Sequence, residues 1–167
     1  MNTRIPTYSI CNLLGADRCM SEFVVTGLGE YVKNHAGLVF PHRHDFFQIV
    51  LFTAGSGRHS IDFQQHEVKP GQLYCMMPGQ VHSWEFAPVA DGFLVNFNES
   101  FITSMCHNSH FLYDFPMFNN LSGQVVSHFS APVAALLESH FQQMWDEYRT
   151  YHGEFKNDLM RALLLQL

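Results

Sequence analysis

The chain has 167 residues, 47% of them hydrophobic and only 14% charged, with 9 Lys and Arg against 15 Asp and Glu for a formal net charge of −6. That is about one domain's length and enough apolar content to close a core, which excludes an acidic or Pro/Ser-rich disordered segment. No apolar run approaches the roughly 18 residues of a membrane span, and no charged stripe follows a phosphate backbone. Neither a membrane nor, through these residues, DNA is therefore an expected partner.

Residues 1–20, with Pro6 and Gly15, read as an irregular arm or a weak edge strand, without the continuous apolar stretch of a secretory signal. From Ser21 to about Asn98 short strands alternate with turns. Strands are expected at Phe23–Thr26 and Glu30–Asn34 around Gly27-Leu28-Gly29, and at Phe46–Thr53 and Arg58–Phe63 around Ala54-Gly55-Ser56-Gly57. Three more follow at Gln72–Met77, Val81–Phe86 and Phe93–Phe97, each preceded by Gly or Pro. Such short, evenly spaced strands predict an antiparallel sandwich or barrel rather than βαβ units. The 16 Phe suit that strand-rich core, or a lined pocket.

After Asn98 the pattern changes. Short helices are expected at Ser100–Met105 and His110–Tyr113. From Ser130 the period becomes helical: Val133, Leu136, Leu137, His140, Phe141, Met144 and Tyr148 recur at three and four, with Pro132 in the first turn. Gly153 breaks the run, and Phe155, Leu159, Ala162, Leu163 and Gln166 form a second helical face. Two helices on a short link predict an antiparallel hairpin. Trp145, Leu164 and Leu165 fall off the main stripes, and helices apolar on two sides need two partners. Leu137, Phe141, Met144, Trp145, Leu159 and Leu163 are therefore the candidate residues for a homodimer interface. The last residues, Ala-Leu-Leu-Leu-Gln-Leu, carry no helix stop signal, so a further domain is expected beyond residue 167.

Four Cys (Cys11, Cys19, Cys75, Cys106) lie far apart with no Cys-x-x-Cys pair and read as free thiols in a reducing cytoplasm. Of the 11 His, seven (His35, His59, His66, His107, His110, His128, His152) read as solvated rings on turns, strand edges or helix faces. Three are different by spacing. In a strand alternate residues share a face, so His42, His44 and Gln48 point the same way, and His82 from a later strand can meet them. Two His, a carboxylate and a third His would be a metal set, but Gln48 takes the anionic place and weakens it. Buried, hydrogen-bonded His without metal is the simpler reading, and no cofactor is expected; if a metal is held, its ligands are His42, His44, Gln48 and His82.

The phrases His42-Arg-His-Asp-Phe-Phe-Gln-Ile and Met77-Pro-Gly-Gln-Val-His-Ser-Trp84, followed by the looser Gly92-Phe-Leu-Val-Asn-Phe-Asn-Glu-Ser-Phe101, resemble the two cupin motifs. More closely still, they are similar to the cupin-type sensor domain of AraC-family transcription regulators. The resemblance implies a cupin-type double-stranded β-barrel (jelly roll) at 21–125, preceded by the arm at 1–20 and followed by the helical hairpin at 126–167. It also implies a small-molecule effector inside the barrel, dimerisation through the hairpin, and DNA contact only through a helix-turn-helix domain beyond residue 167.

With the even-numbered face inward, the pocket lining is His42, His44, Phe46, Gln48, Val50, Met76, His82, Trp84, Leu94 and Asn96. Apolar walls, one aromatic plate and a few neutral hydrogen-bonding groups suit a small polar ligand such as a sugar. Trp84 lies near a position that stacks on ligand in a sugar-binding relative; core packing explains it equally well. The expected function is effector sensing rather than enzymatic. The alternative is a stand-alone metal-dependent cupin enzyme, a dioxygenase or isomerase.

Overall fold

The computed structural model describes residues 4–14, 21–36, 38–87, 90–105, 108, 110–119 and 125–167. In chain order the elements are β1 (Thr7–Tyr8), α1 (Ile10–Leu14), β2 (Phe23–Gly27), α2 (Leu28–Asn34), β3 (Arg43–His44), β4 (Phe47–Ala54), β5 (Gly57–Ile61) and β6 (Gln64–Val68). Then come β7 (Gln72–Met76), β8 (His82–Phe86), β9 (Asp91–Phe97), α3 (Glu99–Thr103), β10 (Val126–His128), α4 (Ala131–Thr150) and α5 (Lys156–Leu164). Tight 3₁₀ turns lie at Phe111–Asp114 and Pro116–Phe118. Cys19, Cys106, His107, Gly15 and Gly37, with the rest of residues 1–3 and 15–20 of the arm, fall outside the described residues.

Two antiparallel sheets face each other, one of five strands in the order β10-β7-β4-β9-β2 and one of three in the order β6-β5-β8. They do not close on one another, and the arrangement is the jelly-roll-like β sandwich with C-terminal helices that the resemblance implies. β4 runs through the middle of the large sheet, and its alternation sends successive residues to opposite faces. Phe47, Ile49 and Leu51 join Val25, Leu73, Val95 and Phe97 on the outer face, which α4 and α5 cover with Leu137, Phe141, Met144, Met160 and Leu163. The even-numbered residues turn into the sandwich. Gly92 allows the tight pairing of β9 with β4, since a Cβ there would strike the Leu51 carbonyl oxygen.

Several expected elements differ. The segment expected as a strand at Glu30–Asn34 is the helix α2, because Leu28 and Tyr31, one turn apart, are both buried there against the open end of the sandwich. The strand β6 is missing from the sequence reading. Its residues Gln-Gln-His-Glu-Val are polar because it is the edge of the small sheet, and its turn uses Asp62 and Phe63 at positive φ instead of glycine. The arm is an edge strand in part: β1 pairs parallel with β3, and Ile10 packs with Val24 and Phe46. Cys11 is disulfide-bonded, against the expectation of free thiols, while Cys75 is free and buried.

The six residues expected at a dimer interface are largely committed within the chain. Leu137, Phe141, Met144 and Leu163 are buried in the outer core, and Trp145 and Leu159 pack against it. The second-helix stripe also shifts, with Met160, Leu163 and Leu164 buried and Phe155 exposed. No helix among the described residues is long and apolar enough to cross a membrane.

Candidate functional site

The site lies on the inner faces of the two sheets. Across the large sheet one row runs Met76, Gln48, Asn96, Val24, set by the register of β7, β4, β9 and β2. Directly opposite cross-strand positions bring side chains within reach, and the Gln48 amide NH2 donates to Asn96 Oδ1 at 2.9 Å. The next row holds Val50 and Leu94. From the small sheet, β5 and β8 place His59 opposite Trp84 and Ile61 opposite His82. His42 forms a bridge with His82, each backbone N–H donating to the other's carbonyl.

All of His42, His44, Gln48, Val50, Met76, His82, Trp84, Leu94 and Asn96 are buried, as their shared face requires. The three motif imidazoles meet: ring centroids are 4.3 Å apart for His42–His82, 4.5 Å for His44–His82 and 5.0 Å for His42–His44. Phe46 is buried as well, stacked on His44 at 4.4 Å and packed with Val24 of the inner row and Ile10 of the arm. Trp84 is the hub, with Tyr31, His59 and His82 rings at 5.8, 5.6 and 5.4 Å and His42 at 6.4 Å.

Sequence reasoning missed two members. His59, read as solvated, is completely buried, and its Nε2 lies 3.1 Å from His82 Nδ1. His82 Nε2 in turn lies 3.3 Å from His44 Nε2, so His59, His82 and His44 form a hydrogen-bonded chain. The signal was the period-two phase of His59 with Ile61, out of phase with exposed Arg58. Tyr31 was missed because its segment was taken as a strand.

Burial dominates the electrostatics. It pushes His44 and His59 down to about 3, His82 well below the usual imidazole range and His42 also downward, with repulsion between neighbouring rings adding to the effect for His44, His59 and His82. The interior therefore holds four neutral rings at pH 7, each with one donor and one acceptor nitrogen. His42 Nδ1 lies 2.8 Å from the Phe40 carbonyl, which only accepts, so Nδ1 carries the hydrogen and Nε2 presents a bare lone pair. Among the described residues that Nε2 has no hydrogen-bond partner, and neither does His59 Nδ1; the Tyr31 hydroxyl reaches the side chains of Gln48 and Asn96. Buried polar atoms left unpaired are costly, and a native interior keeps few of them.

Could these residues hold a metal? The ligand nitrogens of His42, His44 and His82 all lie within 4.8 Å of one another. The set has no anionic member: Gln48 stands in the fourth place and spends its NH2 on Asn96. His44 and His82 also share a hydrogen bond that an ion would have to replace. The donor set is thus a neutral three-imidazole site, weaker for a divalent ion than one with a carboxylate.

The profile of the AraC-like ligand binding domain matches residues 30–166. Similar solved structures include the AraC-like transcriptional activator CuxR, at 15% identity over 73% of this chain and 41% of that one with a TM-score of 0.45. ToxT K231A from Vibrio cholerae is 10% identical over 86% of this chain and 53% of that one, with a TM-score of 0.47. A cupin protein from Bacteroides fragilis is 24% identical over 35% of this chain and 52% of that one, with a TM-score of 0.32. The chain spans 41–53% of the length of these three proteins. No curated protein matches its sequence. By the match over residues 30–166, this chain belongs to the family of AraC-like ligand-binding domains.

Proposed function

We propose that this chain is the effector-sensing domain of an AraC-type transcription regulator, and that it takes an uncharged, hydroxyl-rich small molecule of the sugar kind in the sandwich interior. The observation that carries this reading is the set of orphaned buried atoms. His42 Nε2 and His59 Nδ1 are left without partners among the described residues, and Gln48, Asn96 and the Tyr31 hydroxyl, within hydrogen-bonding reach of one another, complete a neutral set around the Trp84 plate. A polyol offers hydroxyls to such acceptors, whereas an anion would meet lone pairs in a dry, uncharged site. A cavity of about 410 Å³ between α2 and β8 reaches Trp84 and gives a way in. Occupancy then shifts an equilibrium that the arm shares, since β1 pairs with β3 beside His44.

The test is thermal unfolding against a panel of pentoses and hexoses. At about 100-fold excess over Kd a ligand adds roughly 3 kcal/mol of apparent stability. One or more sugars should raise the melting temperature, and Trp84→Ala should abolish that rise while leaving the oligomeric state unchanged. Equal loss of binding and assembly in Trp84→Ala would make the indole structural and count against the reading.

Self-association through the helices is part of the proposal, with a corrected surface. The large apolar side chains exposed on α4 are Val133 and Leu136, one turn apart. Light scattering should report a dimer that Leu136→Glu converts to monomer. DNA contact is assigned to a domain outside this chain, in the cytoplasm. A second reading, a metal-dependent cupin enzyme, is favoured only by the three clustered imidazoles. Stoichiometric metal in protein purified without chelator, lost in His44→Ala, would support it over effector sensing.

A further inference from the structure

We propose that His59, His82 and His44 act as one unit that sets the hydrogen-bond sense of the interior, so that the bound molecule must donate hydroxyl hydrogens to two separate nitrogens, His59 Nδ1 and His42 Nε2. This rests on the effector reading above and deepens it. An uncharged, hydroxyl-rich ligand is narrowed to a diol that donates twice, and His59, which carries no sequence motif, becomes a residue that determines specificity.

The hydrogens along the three rings can be counted. They come from three strands, His59 on β5, His82 on β8 and His44 on β3. His59 Nε2 lies 3.1 Å from His82 Nδ1, and His82 Nε2 lies 3.3 Å from His44 Nε2. A neutral imidazole carries one hydrogen on its two nitrogens, and each of the two contacts uses one. His82 has a single hydrogen to give, so it donates on one side and accepts on the other. Both contacts therefore point the same way along the chain. Only two arrangements satisfy them. In the first, His59 donates to His82, His82 donates to His44, and the remaining hydrogen sits on His44 Nδ1. In the second every bond is reversed, and the remaining hydrogen sits on His59 Nδ1.

Burial chooses between them. His59 is completely buried and its Nδ1 has no partner, whereas His44 Nδ1 is not sealed in this way among the described residues. A hydrogen on His59 Nδ1 would be a buried donor with nothing to receive it, a costly and rare state in a native interior. The first arrangement holds, and His59 Nδ1 presents a bare lone pair. His42 Nε2 presents another, because His42 Nδ1 spends its hydrogen on the Phe40 carbonyl. The two rings lie 5.6 and 6.4 Å from the Trp84 ring, so both lone pairs border one aromatic plate. An oxygen that only accepts, as in an ether, meets a lone pair at His59 unless all three rings reverse together. A site built to receive hydroxyl hydrogens rejects the analogue that lacks them, since its own buried groups are then left unpaired.

The test takes the 167-residue chain with ¹⁵N-labelled histidine through long-range ¹H–¹⁵N NMR at pH 7, first without any addition. His59 and His82 should carry their hydrogens on Nε2 and His44 on Nδ1. A hydrogen on His59 Nδ1, opposite senses at the two contacts, or an imidazolium at any of the three rings would overturn the proposal. Then cis-1,2-cyclohexanediol and cis-1,2-dimethoxycyclohexane, which differ in their ability to donate, are titrated. The diol should bind about tenfold more tightly, the worth of one net hydrogen bond, and should move both the His59 Nδ1 and His42 Nε2 signals toward hydrogen-bonded values. Equal binding of the two, no binding of the diol, or a diol that leaves His59 Nδ1 unmoved would overturn the proposal. The sugar reading fails separately. Tautomers and diol binding as stated, with no pentose or hexose raising the melting temperature, would count against a sugar and leave the donor sense standing. A sugar that stabilises the fold without moving His59 Nδ1 would overturn this inference alone.

Discussion

The two faces of the five-stranded sheet carry the same strands to different ends. On the outer face β4 offers Phe47, Ile49 and Leu51, which pack with Phe93, Val95 and Phe97 under α4 and α5 in a core that is aliphatic and aromatic throughout. On the inner face the same strand offers Gln48, whose amide, with Asn96 and the buried imidazoles, leaves several polar atoms unpaired. One face is finished by the chain itself. The other, on the proposed reading, is completed by a bound effector, and that reading separates stability from recognition within a single sheet.

If that contrast holds, acid should act on the inner face first and most strongly. His44 and His59 stay neutral in the folded chain down to about 3, whereas the same rings in the unfolded chain take up protons below about 6.5. A depressed folded value means that stability is complete above pH 6.5 and is lost as pH falls toward 3. The loss should reach roughly 5 kcal/mol by pH 4.5, read from the melting temperature across a pH series. A flat profile between pH 7 and 4.5 would erase the difference between the faces.

Next in size is the outer face. Phe141 is fully buried and meets Phe93 at 5.9 Å, so Phe141→Ala should cost about 3–5 kcal/mol in urea denaturation with no change in sugar affinity. On the inner face His82→Phe keeps the bulk but strands nitrogens on both His59 and His44, at about 1–3 kcal/mol for each unpaired group. Its mark is a shallower acid profile along with the loss of stability, since one of the buried rings that must take up a proton is gone. Smallest of all, Leu136→Glu on the exposed side of α4 should change monomer stability by less than about 0.5 kcal/mol, measured below the dimer dissociation concentration.

Much of this was legible from the sequence because strands report their faces by parity. Parity places the even positions from His42 to Asn96 inward, and all ten are buried, with Phe46 packed where the arm meets the inner row. The paired motifs place His82 against His42 and His44. Segments whose role is set by tertiary contacts were harder. Leu28-Gly-Glu-Tyr31 has no local reason to be helical beyond two apolar residues one turn apart, and it becomes a helix because the end of the sandwich needs Leu28 and Tyr31. His59 reads as polar, and only its register opposite Trp84 shows that it is buried. For α4, periodicity found the stripe but not its partner. The same Leu137, Phe141 and Met144 that suit a dimer suit a sheet, and proximity within the chain decides the matter.

The neutral, incompletely paired interior is tested most directly by long-range ¹H–¹⁵N NMR of the histidine rings at pH 7, which distinguishes neutral tautomers from imidazolium. His42 should be neutral with its hydrogen on Nδ1 and a bare Nε2, and that Nε2 signal should move toward a hydrogen-bonded value when a stabilising sugar is added. An imidazolium at His42, or an Nε2 that already carries the hydrogen in the free protein, would contradict an interior built to receive donors from an uncharged ligand.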